Sequence, residues 1–303
     1  NPAHYCGVYG HKPTYGIVPM RGQFLPGIVS PSDISVAGPM ARSARDLTVM
    51  LKLLAGPDGA EARAMRLNLP PARETSFKSF RVAVMLSDPV SEVDQPVQDL
   101  LAALVKFLSK RVKSLSMTAR PSFSTREAMD IYVTLLRSAT SRRQSNAEFA
   151  LNQKRADGFS PDDDSYFARM TRAYVLPHRS WLMVNERRHQ MRLLWDHFFE
   201  DWDVMICPAA SSAAFPHDQK GERHERTILV NGRRVPTTDQ LFWAGYSGAF
   251  HLPSTVAPIG LTPQGLPAGV QIIARQFGDL TALRFAELLE REYYGFVPPP
   301  GYR

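Results

Sequence analysis

The chain has 303 residues, of which 44% are hydrophobic and 21% charged, the balance of a globular protein large enough to bury a sizeable core in one large domain or two ordinary ones. No apolar run approaches the ~20 residues that a bilayer demands, and the first residues have neither the basic nor the apolar region of a signal peptide. Two cysteines, Cys6 and Cys207, without CxxC spacing, argue against a disulfide framework and lead to the expectation of a cytoplasmic protein. The net charge of +7 is spread along the chain, densest around Arg142, Arg143, Arg187 and Arg188. That spacing reads as solvated helical faces, so neither nucleic acid nor membrane is expected as a partner.

Residues 1–40 are punctuated by Gly7, Gly10, Gly16, Gly22, Gly27 and Gly38 and read as an ordered loop region wrapping a site. A helix follows. Ser43 and Asp46 have capping-box spacing, Leu47, Met50, Leu51 and Leu54 form an apolar stripe, and Gly56-Pro57 ends it. Residues 57–79 form a polar excursion, and Arg81 to Leu86 is a short buried strand. Asp94 is expected to cap a helix with Pro96 in its first turn and Val97, Leu100, Leu101, Leu104, Val105 and Leu108 on its buried face. Strand then helix implies a layered α/β core.

Residues 121–202 form an arginine-rich helical block ending in Trp195, Phe198, Phe199 and Trp202, read as an insertion over the substrate side of the sheet. Asp203 to Pro208 returns to a buried strand. Asn231-Gly232, between Ile228 and Val235, supplies the two positive-φ positions of a type I′ hairpin turn. Two more strands follow, Ser254 to Ile259 and Gly269 to Ala274, and Asp279 is expected to cap a last helix carrying Leu280, Leu283, Ala286, Leu288 and Leu289.

Few residues stand out as chemistry-bearing. His217, Asp218, Glu222 and His224 share one polar loop, but their spacing is not that of a zinc motif, and a surface loop is the simpler reading; no metal is assigned. No segment reads GxSxG, and Ser211-Ser212 lack a Gly-rich frame. Aromatic residues within Leu241 to His251 suit either an apolar pocket or core packing.

Four blocks resemble the amidase signature family. Asn1-Pro2-Ala3, running on through Cys6-Gly7-Val8-Tyr9-Gly10-His11-Lys12-Pro13-Thr14-Tyr15-Gly16, is similar to the end of its G-G-S-[IV]-R-x-P-A segment. Gly38-Pro39-Met40-Ala41-Arg42-Ser43, with Asp46 and Leu53 to Asp58, is similar to its GPMARS…LAGPD block. Trp202 to Pro208 resembles its "yDvlltP" strand, and Pro253 to Ile259 with Gly265 to Ile273 resembles its closing "GLPvGvQii" pair. The blocks fall in family order.

The resemblance implies an α/β fold, a large mixed β-sheet sandwiched by helices, with residues 1–303 forming the C-terminal part of one domain and its N-terminal portion missing. It implies hydrolysis of a small-molecule carboxylic acid amide by a Ser-Ser-Lys triad through an acyl-enzyme, with no cofactor. The nucleophilic serine would lie three residues before Asn1, so no catalytic residue is assigned within the chain. Lys12 matches the family's KPT lysine, which is not its base, and reads as structural. Asn1, Trp243, Tyr246 and His251 are the expected substrate-binding residues. Without its first segment the chain is expected to self-associate or to need that segment, and to be inactive alone. The rivals are a non-catalytic binding or scaffold module and, less favoured, an amidotransferase A subunit, because no RFDGVRYG-like segment occurs in 121–180.

Overall fold

The computed structural model describes residues 1–24 and 27–302. The chain begins with a short helix, α1 (Pro2–Cys6), which has proline in its first turn and ends at Gly7, whose φ of 64° turns the chain into β1 (Tyr9–Lys12). Next come β2 (Met40–Ala41), α2 (Ala44–Leu54), α3 (Glu61–Ala64), β3 (Arg81–Val84), α4 (Gln95–Leu108) and β4 (Ser114–Ser116). Four helices fill the arginine-rich block: α5 (Thr125–Ser141), α6 (Asn146–Gly158), α7 (Tyr166–Tyr174) and α8 (His178–Asp201). The remainder is β5 (Val204–Pro208), β6 (Thr227–Val230), β7 (Arg233–Pro236), α9 (Leu241–Gly248), β8 (Ser254–Leu261), β9 (Pro267–Ile273) and α10 (Asp279–Glu292).

Seven strands form one mixed sheet in the order β2-β1-β8-β9-β5-β3-β4, flanked by helices, as the resemblance implied. Strand β5 is the pivot, parallel to β3 and antiparallel to β9, with Ile206 opposite Ile272. Every residue of β5 is buried, as are the last six of β9. Strands covered on both faces are nearly continuously apolar, which explains Val204-Met205-Ile206 and, apart from Gln271, the run from Val270 to Ile273. The sheet ends in β2 and β4, of two and three residues, so little ladder is left unpaired at either edge. Among the described residues no helix is long and apolar enough to cross a membrane.

Helix α2 shows the serine half of the expected capping box, Ser43 Oγ accepting the Asp46 N–H at 3.0 Å. Its buried stripe is narrower than the sequence pattern suggested: Ala44, Leu47 and Leu51 are covered, while Met50 and Leu54 are exposed with Val49 and Leu53. Both Asp caps differ from expectation. Asp94 precedes α4 but bonds no N–H of that helix through its side chain, because Asn231 of the β6–β7 turn takes its carboxylate. Asp279 is the first residue of α10 and turns inward, where buried donors from residues 11–14 hold it. The hairpin turn itself is as expected, with Asn231 at φ 52° and Gly232 at φ 74°.

Candidate active site

The loop that leaves β5, Ala209 to Ser212, is buried although it is not a strand, so its polar groups must find partners inside the protein. Helix α1 and its N-cap residue supply two of them. Asn1 Nδ2 donates to the Ala209 carbonyl at 3.1 Å. His4, fully buried, lies over the Ser212 carbonyl (Nε2, 3.0 Å) and accepts the Gly269 N–H through Nδ1 at 2.9 Å. Accepting at Nδ1 fixes the neutral tautomer with its proton on Nε2, and burial holds the imidazole pKa down at about 4. The Ser211 carbonyl accepts the Asp94 N–H at 2.7 Å, and its hydroxyl meets that of Ser91, also at 2.7 Å. Ser212 Oγ has no partner among the described residues. One turn along α1 from Asn1, the Tyr5 hydroxyl donates to Gln240 Oε1 at 2.5 Å, and burial pushes its pKa up to about 12.

A second layer fixes the strand that follows α1. Lys12 donates to the Leu252 and Pro13 carbonyls, and burial lowers its ammonium to about 8. His11 bridges Thr255 Oγ1 (2.9 Å) and Asp279 Oδ1 (3.1 Å). Asp279 also accepts the Thr14 N–H at 2.8 Å and the Thr14 hydroxyl at 2.7 Å. Burial alone would raise that carboxyl, but the hydrogen bonds from His11 and Thr14 and the charge interaction with His11 outweigh it, and the Asp279 pKa is lowered. Gly10 allows α1 to lie this close: a Cβ there would stand 2.7 Å from Ala3 Cβ.

The four residues expected to bind substrate fall into separate surroundings. Asn1 is half-buried at the loop after β5. Trp243 is completely buried and donates to the Ser91 carbonyl at 3.1 Å, and Ser91 in turn meets Ser211 of that loop. Tyr246 packs in the aromatic core with Trp195, ring centroids 5.3 Å apart. His251, at φ 64°, stacks on Tyr15 at 4.2 Å and bonds the Asp33 carbonyl at 2.8 Å; burial pushes its pKa down to about 3.

Sequence reasoning passed over Gln271. It sits in the middle of β9, with Nε2 donating to the Trp243 carbonyl at 2.9 Å and Oε1 accepting from Ser247 at 2.9 Å. A glutamine inside an otherwise apolar buried strand is the signal that marks it. His4 was equally visible as the histidine of Pro2-Ala3-His4, without the partners that give it meaning.

This architecture is that of the amidase family, whose description matches residues 1–283, and the chain belongs to that family. Its curated relatives include the glutamyl-tRNA(Gln) amidotransferase A subunit of Brevibacillus brevis, 27% identical across 98% of this chain and 62% of the relative. Its counterpart of the same name from Lysinibacillus sphaericus is 29% identical, again across 98% and 62%. The chain thus spans about three-fifths of the length of the relatives it matches. Solved structures share the fold: a bacterial aryl acylamidase of the amidase signature enzymes (TM-score 0.70, 19% identity, 96% of this chain and 59% of that one). The glutamyl-tRNA(Gln) amidotransferase A subunit of Thermotoga maritima likewise matches with a TM-score of 0.70 and 19% identity, over 100% and 62%.

Proposed function

We propose that this chain is the C-terminal part of an amide hydrolase that converts a small-molecule amide to acid and ammonia or amine. In this reading the nucleophilic serine, the bridging serine and the lysine of a Ser-Ser-Lys triad all lie on residues preceding Asn1. The chain contributes the sheet, the loop after β5 and the helix α1 that follows the nucleophile. The observation that carries the proposal is the anchorage of Asn1 to the Ala209 carbonyl at 3.1 Å. It ties the residue nearest the expected nucleophile to the carboxyl end of β5, the end of a parallel pair where α/β sheets place their ligands. Asn1 is the substrate-facing residue of this proposal. Trp243 acts behind it by holding Ser91, while Tyr246 and His251 act by packing. The 121–202 block is the substrate-side insertion, and a homo-oligomer or an upstream segment completes the working protein.

A second reading, an amidotransferase A subunit, is favoured by the names of the curated relatives. One experiment separates the two. Protein carrying the residues that precede Asn1 in its reading frame is compared with residues 1–303 for ammonia release from aryl amides, aliphatic amides and glutamine. The hydrolase reading expects turnover of simple amides by the longer protein only, abolished by changing the serine three positions before Asn1 to alanine. Turnover confined to glutamine favours the amidotransferase. A folded longer protein that hydrolyses none of these amides points to the non-catalytic binding module instead.

A further inference from the structure

Between α5, α6, α7 and the turn at residues 222–225 lies a cavity of about 820 Å³. Arg137, Arg143, Arg155 and Arg223 line it. Its three carboxylates are turned to backbone: Glu148 accepts the Ser145 N–H at 2.6 Å, and Glu222 and Glu225 cap each other's N–H groups. Among the described residues no ion pair joins any of these four arginines to a carboxylate. Arg137 instead directs its fork at the Tyr166 hydroxyl, whose own proton has no acceptor among the described residues. Leu151, Phe167 and Met170 give the cavity an apolar wall.

A short run of residues links the cavity to the candidate active site. Thr238, on its wall, is 1% exposed and its hydroxyl has no partner among the described residues. Two residues further, Gln240 accepts the hydroxyl of Tyr5, which belongs to the helix that starts beside Asn1.

We propose that this cavity is a subsite for a carboxylate-bearing part of the substrate, joined through an apolar, aryl-sized spacer to the amide that would lie near Asn1. The proposal rests on the amide-hydrolase reading given above. A planar carboxylate matches the two parallel N–H donors of a guanidinium, and the unpaired arginines offer several such forks. The four guanidiniums outnumber the cavity's three carboxylates, which accept backbone N–H groups rather than the arginines, so a net positive charge is left for a ligand to meet. The apolar wall favours an organic acid over a bare anion.

The test is calorimetric binding to the 303-residue chain of 4-phenylbutyrate, of its neutral amide 4-phenylbutyramide, and of inorganic phosphate. The acid is expected to bind saturably and at least tenfold more tightly than the amide, with phosphate a poor competitor. The double variant R143Q/R223Q is expected to weaken the acid at least tenfold with an unchanged melting curve, since both side chains are exposed and unpaired. Equal affinity for acid and amide in the unaltered protein overturns the proposal. So does acid binding indifferent to the double variant, or phosphate competing as well as the acid. Binding needs no nucleophile, so the two readings fail separately. Charge-selective binding with no hydrolysis by the longer protein sinks the hydrolase reading and keeps the subsite; hydrolysis without charge selectivity does the reverse.

Discussion

Asn231 and Asp94 cap one helix between them from positions far apart in sequence. Asn231 Oδ1 accepts the Gln95 N–H at 2.9 Å, while Asp94 Oδ1 accepts the Asn231 N–H at 2.7 Å. The arrangement has the logic of a capping box, one donor satisfied in each direction, but is assembled from a hairpin turn and a helix start. Asn231→Gly keeps the left-handed turn and deletes the cap together with the bond from Nδ2 to the Val93 carbonyl at 3.2 Å. Loss of these hydrogen bonds should lower unfolding stability by about 1 kcal/mol in urea titration, and a variant as stable as the parent would show the side chain to be dispensable.

His4 should make the protein acid-sensitive in a defined window. Its pKa is about 4 when folded against an ordinary 6.5, so the unfolded chain takes up the proton first as pH falls. The stabilisation is complete above pH 6.5, declines between 6.5 and about 4, and amounts to roughly 3 kcal/mol over that span. Glutamine can accept from Gly269 and donate to Ser212 without titrating. His4→Gln should therefore flatten this part of the stability–pH curve, while an unaltered slope would assign the acid sensitivity to other groups such as His251.

Asp279 accepts from His11 and from both donors of Thr14 while fully buried. Asp279→Asn replaces an acceptor by an NH₂ that faces donors. It should cost roughly 3 kcal/mol, since a buried charge network is broken on one side. A drop in melting temperature, with the loss of proteolytic protection confined to residues 9–16, is the expected result.

Trp243→Phe distinguishes support from substrate contact. The indole is fully buried and its N–H bonds the Ser91 carbonyl at 3.1 Å. Loss of that bond and of the ring volume should destabilise by roughly 2–4 kcal/mol. In the active longer protein KM should be unchanged; a raised KM at unchanged stability would return Trp243 to the binding surface.

Local chemistry made much of the fold readable. The Asn-Gly turn, the Ser43 cap and the apolar runs of β5 and β9 depend on neighbours in sequence, and their elements stand where the pattern put them. The two aspartate caps misled for one shared reason. An Asp beside a helix start meets the local rule, yet a distant donor with better geometry takes the carboxylate, and only tertiary structure reveals Asn231 or Thr14 as that donor. The aromatic segment 241–251 was ambiguous on composition, because pocket walls and cores use the same residues. What separates them is the partner of each polar atom, as with Trp243 Nε1 and His251 Nε2.

The pairing of β1 with β8 sets a timetable for the chain's birth. His11 sits opposite Thr255, and their side chains join across 244 positions of sequence. At ribosomal speeds of about 5–20 residues per second, about 12–50 s pass between the synthesis of one and of the other. For that interval β1 lacks its main ladder partner and α1 lacks the strand it lies on. The segment that shapes the candidate site must therefore wait for strands made long after it, and in the cell it is the natural place for a chaperone to act.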